Sequence, residues 1–312
     1  MQAAPPRDSA DLHSALVGLD LRVRLLVDTF REDFAARTGD PLRGLYIRDA
    51  DIDTLLAEDG AQAAERVLAI QTGPATNARL RHLAYSFELD ALEQEIVLIC
   101  LAPDIDLRYE RLYGYLQDDV TRRRPTLDLV ARLLRAGAEE GSLALRSVLG
   151  ATTRLASAGL LARPTDEHGE QAAILARPLR LEDRVVEYLI GSDALDPRIG
   201  LVAELVAPDP SGQDDPQATA ATIGLARLMA RQNGPRGAGP VLYLQGAAGT
   251  GKRANARAAC AASQRALLLV DLPALLAGSV DRTAELTFAA AAREALLQDA
   301  ILCFDGFDRM LS

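Results

Sequence analysis

Residues 241–263 read VLYLQGAAGTGKRANARAACAAS, and the reading of this stretch decides the fold of the C-terminal third. An apolar run, Val241–Gln245, leads into a glycine loop, and an Ala-rich helical pattern follows. This is the strand–loop–helix order that a phosphate-binding loop requires. Glycines at 246, 249 and 251 let the backbone approach an anion closely. The loop N–H groups and the helix start would face that anion, with Lys252 reaching the outer phosphates. The candidate phosphate-binding set is Gly246, Ala247, Ala248, Gly249, Thr250, Gly251, Lys252 and Arg253. Of the 34 basic residues, Lys252 is the single lysine. In a chain that otherwise uses arginine, it marks a place where a compact point charge serves and a broad planar fork does not.

Fifty-three residues downstream of Lys252, the run ILCFDGFD (301–308) ends an apolar strand on Asp305. Ligands of open α/β sheets bind at that strand edge, so Asp305 is the candidate Mg²⁺ carboxylate and Asp308 the nearest spare acid for catalysis. Two residues depart from the usual pattern. The position after the lysine normally offers a hydroxyl to the metal, and here it is Arg253. The position after the aspartate often carries a water-polarising Glu, and here it is Gly306. Nucleotide binding follows from these residues more securely than hydrolysis does.

Working outward, the predicted strands Val241–Gln245, Ala266–Asp271 and Ala300–Asp305 alternate with predicted helices 252–263 and 283–298. That pattern implies a parallel α/β sheet. Upstream, VAPDPSGQDDPQ (206–217) reads as a linker, and a helix is expected at 218–232. Before it, apolar periodicity predicts helices over 10–37, 76–102 (interrupted by Pro103) and 105–117. From Pro125 the order is helix, helix (142–158), then two extended pieces around a polar turn at Asp166–Glu170, the order of a winged helix. A further helix follows in RLEDRVVEYLIG. The division is therefore 1–124, an N-terminal helical domain; 125–205, a winged-helix-like domain; 206–217, a linker; and 218–312, a partial nucleotide-binding domain.

Composition narrows the partners. The chain of 312 residues is 49% apolar and 25% charged with net charge −10, which fits a folded protein rather than a disordered one. Residues 1–200 carry 33 acids against 24 bases, which argues against general affinity for a phosphate backbone. No apolar run suits a membrane span, and no secretory signal is visible. Three scattered cysteines suggest neither a disulfide scaffold nor a zinc site, so a cytoplasmic setting is expected. Arg146, Arg154, Arg163 and Arg122–Arg124 are the residues a DNA-binding winged helix would use. Asp104, Asp106, Asp118 and Asp119 read as a solvated face rather than a metal site.

The motifs GAAGTGK and REALLQDAILCFDGFD (293–308), with LRGLYIRDADIDTLL (42–56), the block 87–130 and LEDRVVEYLIGSDALD (181–196), resemble a family of AAA+ ATPases. These carry an N-terminal helical and winged-helix region and are encoded with bacterial extracellular contractile injection systems. The fold class so implied is a mainly α N-terminal region with a winged helix, followed by the start of an α/β P-loop (AAA+) domain. The resemblance implies ATP and Mg²⁺ as cofactors and a homo-oligomer, expected to be a hexamer. It further implies ATP hydrolysis coupled to assembly, loading or remodelling of the particle, whose protein components would be the partners. An AAA+ module continues with further strands, a sensor, an arginine finger and a lid, so a fragment of a longer protein is expected. Two alternatives stand beside this: a DNA-binding regulator with an attached nucleotide switch, and a non-catalytic scaffold with a degenerate loop.

Overall fold

The computed structural model describes residues 8–35, 52–53, 78–135, 141–162, 173–208, 224, 241–247, 249–277 and 282–307. Contacts divide the chain into two compact units. One comprises Met1–Arg81 with Leu89–Ser192, the other His82–Glu88 with Asp193–Ser312. The first unit includes both the helical stretch and the winged-helix order that the sequence reading separates at residue 124. Among the described residues, no helix is long and apolar enough to cross a membrane.

The α-helices before the sheet whose bounds are described are α1 (Asp8–Ala35), α2 (Ala78–Ser86), α3 (Ala91–Ile105), α4 (Arg108–Leu116), α5 (Leu127–Arg135), α6 (Gly141–Ser157) and α7 (Asp183–Leu189). The expected helix 76–102 is two helices, and the break falls at Glu88, whose φ is +48°. Asp90 restarts the chain as a full capping box. Its carboxylate accepts from the Glu93 N–H at 2.8 Å, and the Glu93 carboxylate accepts from the Asp90 N–H at 2.9 Å. These bonds satisfy two of the orphan donors of a helix start. Pro103 does not end α3, which continues to Ile105.

The first unit is built on stripes of aliphatic residues. Val23 and Val27 of α1, Ile96 and Ile99 of α3, Leu112 and Leu116 of α4, and Leu129 and Leu133 of α5 are all buried. Each fully buried aliphatic side chain contributes about 1.5–3 kcal/mol. Buried tyrosine hydroxyls inside this core find acceptors. The Tyr113 hydroxyl donates to the Ile99 carbonyl at 2.9 Å, and the Tyr109 hydroxyl donates to Asp20 at 2.6 Å. Arg108 donates to both oxygens of Asp20 at 2.9 Å. Burial pushes both phenols well above their ordinary pKa.

The winged-helix order is visible in the backbone. The stretch 177–182 runs between two short extended pieces, with antiparallel bridges Thr126↔Pro178 and Leu161↔Leu181. Leu179 N–H donates to the Pro125 carbonyl at 2.7 Å, and Ala162 N–H donates to the Arg180 carbonyl at 2.8 Å. Helices α5 and α6 fill the interval between the first two pieces, as a winged helix requires. The turn expected at Asp166–Glu170 lies outside the described residues.

In the second unit the sheet contains β1 (Ala203–Val206), β2 (Ala266–Asp271) and β3 (Ala300–Asp305), in the order β1-β2-β3. β1 pairs antiparallel with β2, and β2 pairs parallel with β3 in the register Asp271↔Asp305. The parallel pair needs a crossover, supplied by α9 (Leu272–Ala277) and α10 (Arg282–Leu297); α8 (Lys252–Ala262) precedes β2. Strand β2 is apolar from Ala266 to Val270, as a strand covered on both faces requires. Leu268 and Val270 pack with Ala290, Ala291 and Ala295 of α10. Leu267 and Leu269 pack with Ala256 and Cys260 of α8 on the other face. A buried ion pair adds to this unit: Arg293 donates to Asp196 at 2.6 Å, and both side chains are almost fully shielded.

Two strand expectations change. Ala203–Val206, which overlaps the start of the expected linker, is a strand. Val241–Gln245 forms no ladder among the described residues. An apolar run carries the composition of a strand whether or not a neighbour stands within bonding reach. Here an apolar cleft of about 660 Å³ is lined by Leu242, Leu244, Ile301 and Cys303 among others. Leu244 is held by packing against the α8 cluster instead. Of the linker and the helix expected at 218–232, residues 209–223 and 225–232 lie outside the described residues.

Candidate functional site

The glycine loop sits immediately before α8. Gly251 occupies the cap position with φ +76°, and Gly249 has φ +82°. Both values lie in the left-handed region that a side chain disfavours. The Thr250 hydroxyl closes the loop by donating to the Ala247 carbonyl at 2.9 Å. Lys252, the first residue of α8, folds back over the loop, and its ammonium donates to the carbonyls of Gly246 at 2.6 Å and Ala247 at 3.1 Å. A cation poised over the loop, beside the N-terminal end of an 11-residue helix, combines the dipole and the charge that favour a phosphate.

Asp305 ends β3 facing the same space. A cavity of about 450 Å³ brings together Gly246, Ala247, Lys252, Arg253 and Asp305. Gly246, Ala247, Gly249, Thr250, Gly251, Lys252, Arg253 and Asp305 are thus all described in or beside one site. Ala248 and Asp308 lie outside the described residues. Two aromatics that the motif reading did not single out stand at the same cavity. Tyr243 and Phe307 line it and meet edge to face with ring centroids 6.1 Å apart. Their only signal in the sequence is adjacency to the two motifs.

Arg253 decides the electrostatics. Its Nε donates to Asp305 Oδ2 at 2.6 Å, and one terminal nitrogen reaches the same oxygen. The guanidinium holds the Asp305 carboxyl below the usual carboxylate range. Gly306 has an equally specific cause. Its φ is +78°, and a Cβ there would lie 2.8 Å from Pro273 Cδ and 2.9 Å from Cγ. The Pro273 ring and the left-handed backbone together leave no room for the Glu that commonly polarises water at this position.

The winged-helix arginines are differently placed. Arg154 on α6 donates to Glu93 at 2.6 Å and to Asp90 at 2.7 Å. Arg124 grips Asp104 with two bonds of 2.7 Å. Arg122 pairs with Asp119 at 3.1 Å, and Arg123 lies 3.8 Å from Glu110. Arg146 is exposed, and Arg163 lies outside the described residues. Three of the four aspartates read as a solvated face hold side chains of their own unit: Asp104 holds Arg124, Asp106 holds Arg108, and Asp119 holds Thr121 and Arg122. Among the described residues, no group of three metal-ligating side chains occurs.

The helical first unit with its bridged extended pieces defines a winged-helix protein. Residues 12–203 match the family described as winged helix domain, variant. This is more than half of the chain, and the chain belongs to that family. No curated protein and no solved structure matches it.

Proposed function

We propose that this winged-helix protein binds a nucleoside triphosphate, with ATP as the expected ligand, at the loop Gly246–Gly251. The observation that carries the reading is the convergence of Lys252, the left-handed glycine loop and Asp305 on one cavity. The loop N–H groups would take the phosphate oxygens, Lys252 would exchange its loop carbonyls for them, and Tyr243 and Phe307 offer apolar faces for a base. The neighbouring parallel strands β2 and β3 are compatible with the start of an AAA+ module. The reading as an ATPase acting on a contractile injection particle, and as a hexamer, rests on the sequence resemblance. With Gly306 and Arg253 at their positions, binding is favoured over hydrolysis, and the nucleotide would act as a switch.

A winged-helix family is compatible with DNA binding. Arg122, Arg124 and Arg154 pair with acids of their own unit, and residues 1–200 carry 33 acids against 24 bases; both favour a structural or protein-contacting role, because binding a phosphate backbone draws on a net basic face. Calorimetric titration of the full chain with ATP, beside Lys252→Ala, tests the nucleotide reading. Saturable binding weakened about tenfold or more in the variant supports it, and no saturable binding by the unaltered chain refutes it.

A further inference from the structure

The sequence resemblance implies Mg²⁺ at the phosphate site, and the side chains present do not fit it. A divalent ion there takes hard oxygen ligands in near-octahedral geometry and is usually held by one or two carboxylates or hydroxyls plus the phosphates. The hydroxyl position is Arg253, which has five N–H donors and no acceptor. The carboxylate position is Asp305, and the Arg253 guanidinium binds its Oδ2 with Nε at 2.6 Å and with a terminal nitrogen. Bringing a divalent cation to Asp305 would set it against a fixed positive charge already on that carboxylate. Among the described residues, the other carboxylate at this sheet edge is Asp271, which accepts from the Ala274 N–H at 3.0 Å.

We infer that this site binds nucleoside triphosphate without a divalent cation, the Arg253 guanidinium standing in the place of the metal. The inference rests on the nucleotide-binding reading above and sharpens it. A phosphate chain needs its charge neutralised, and the site supplies two cations of its own, Lys252 and Arg253, on consecutive residues. Arginine suits the second role because its planar fork can hold a carboxylate with one edge and still offer donors to a phosphate with the others. The Arg253 side chain keeps 62% of its exposure while bound to Asp305, so it is positioned at the surface where phosphates would arrive. One departure from the usual pattern thus acts on two metal ligands: the arginine removes the hydroxyl and occupies the carboxylate.

The test is titration of the full chain with ATP in excess Mg²⁺ and again in excess EDTA, for the unaltered protein and for Arg253→Ser. The expected result is affinity in EDTA within about threefold of that in Mg²⁺ for the unaltered chain. In Arg253→Ser, which restores a hydroxyl and releases Asp305, binding in Mg²⁺ becomes about tenfold or more tighter than in EDTA. Binding by the unaltered chain that collapses in EDTA overturns the inference and leaves the nucleotide reading standing. Metal-independent binding by both proteins overturns the role of Arg253. No saturable binding in either medium overturns both readings. The comparison of media on the unaltered chain decides the matter by itself if Arg253→Ser fails to fold.

Discussion

Arg154 of the winged helix and Arg253 of the glycine loop look alike at first sight. Both lie more than half exposed, both sit on a helix, and both are held by acidic side chains distant in sequence, two for Arg154 and one for Arg253. Their surroundings differ. Arg154 joins α6 to the capping box of α3, and the acids it holds, Asp90 and Glu93, already serve to start that helix. Arg253 joins the first turn of α8 to the end of β3, beside a left-handed glycine loop and a second cation. The first is a brace between two helices. The second is a brace across the mouth of a cavity. An exposed arginine thus says little about binding until the groups around it are known.

The comparison can be broken most severely at the second unit's frame. Asp196 and Arg293 form a buried pair that does not touch the cavity. Removing one partner of such a pair costs about 3–5 kcal/mol. Asp196→Ala is therefore expected to lower the denaturant midpoint of unfolding substantially. The pair also has a pH signature. Burial pushes the Asp196 carboxyl up, but its bonds from Arg198 and Arg293 outweigh this and hold it low. A depressed folded pKa contributes stability that is fully present above the ordinary aspartate value of about 3.9 and fades as pH falls through the folded value. Acid unfolding of Asp196→Asn should show a smaller loss over that low range than the unaltered chain; an identical acid profile would remove the pair from the account.

Lys252→Ala comes next, with a loss of about tenfold or more in ATP affinity, near 1.4 kcal/mol, and an unchanged melting temperature. A large drop in melting temperature would mean that the lysine braces the loop rather than serving a ligand. Comparable in size is Tyr113→Phe in the first unit. It removes the donor to the Ile99 carbonyl and should cost about 1–3 kcal/mol because that carbonyl is left buried. ATP affinity should not move, and a change would show that the two units are coupled. The smallest effect is expected from Arg154→Ala on DNA. Electrophoretic mobility of a short duplex at low salt should be unshifted by either protein, whereas retardation that Arg154→Ala or Arg146→Ala abolishes would turn the brace into a DNA contact.

Much of this was legible before any coordinates. The glycine loop, α8, β2 and β3 follow from local pattern: glycines at fixed spacing, an Ala-rich helix, and runs of Leu and Val ending in Asp. The winged-helix order was equally readable, because its two helices and extended pieces follow one another closely in sequence. What escaped depended on partners far along the chain. AELV at 203–206 is too short to announce itself, and it becomes a strand by pairing with Leu267–Val270. VLYLQ at 241–245 has a strand's composition and, among the described residues, no ladder. The capping box at Asp90–Glu93 was present as Asp-x-x-Glu and would have located the break after α2. The bond from Arg253 to Asp305 spans 52 residues, and nothing in either motif alone announces it. The same holds for Gly306, whose reason is the ring of Pro273.

The central claim is that the loop Gly246–Gly251 with Lys252 binds nucleotide. The most direct measurement is the heat of ATP binding to the full chain, taken beside Lys252→Ala at matched folded fraction. The account predicts one saturable site in the unaltered protein and an affinity lower by about tenfold or more in the variant. Equal affinity in the two proteins, or no saturable heat in either, would contradict it.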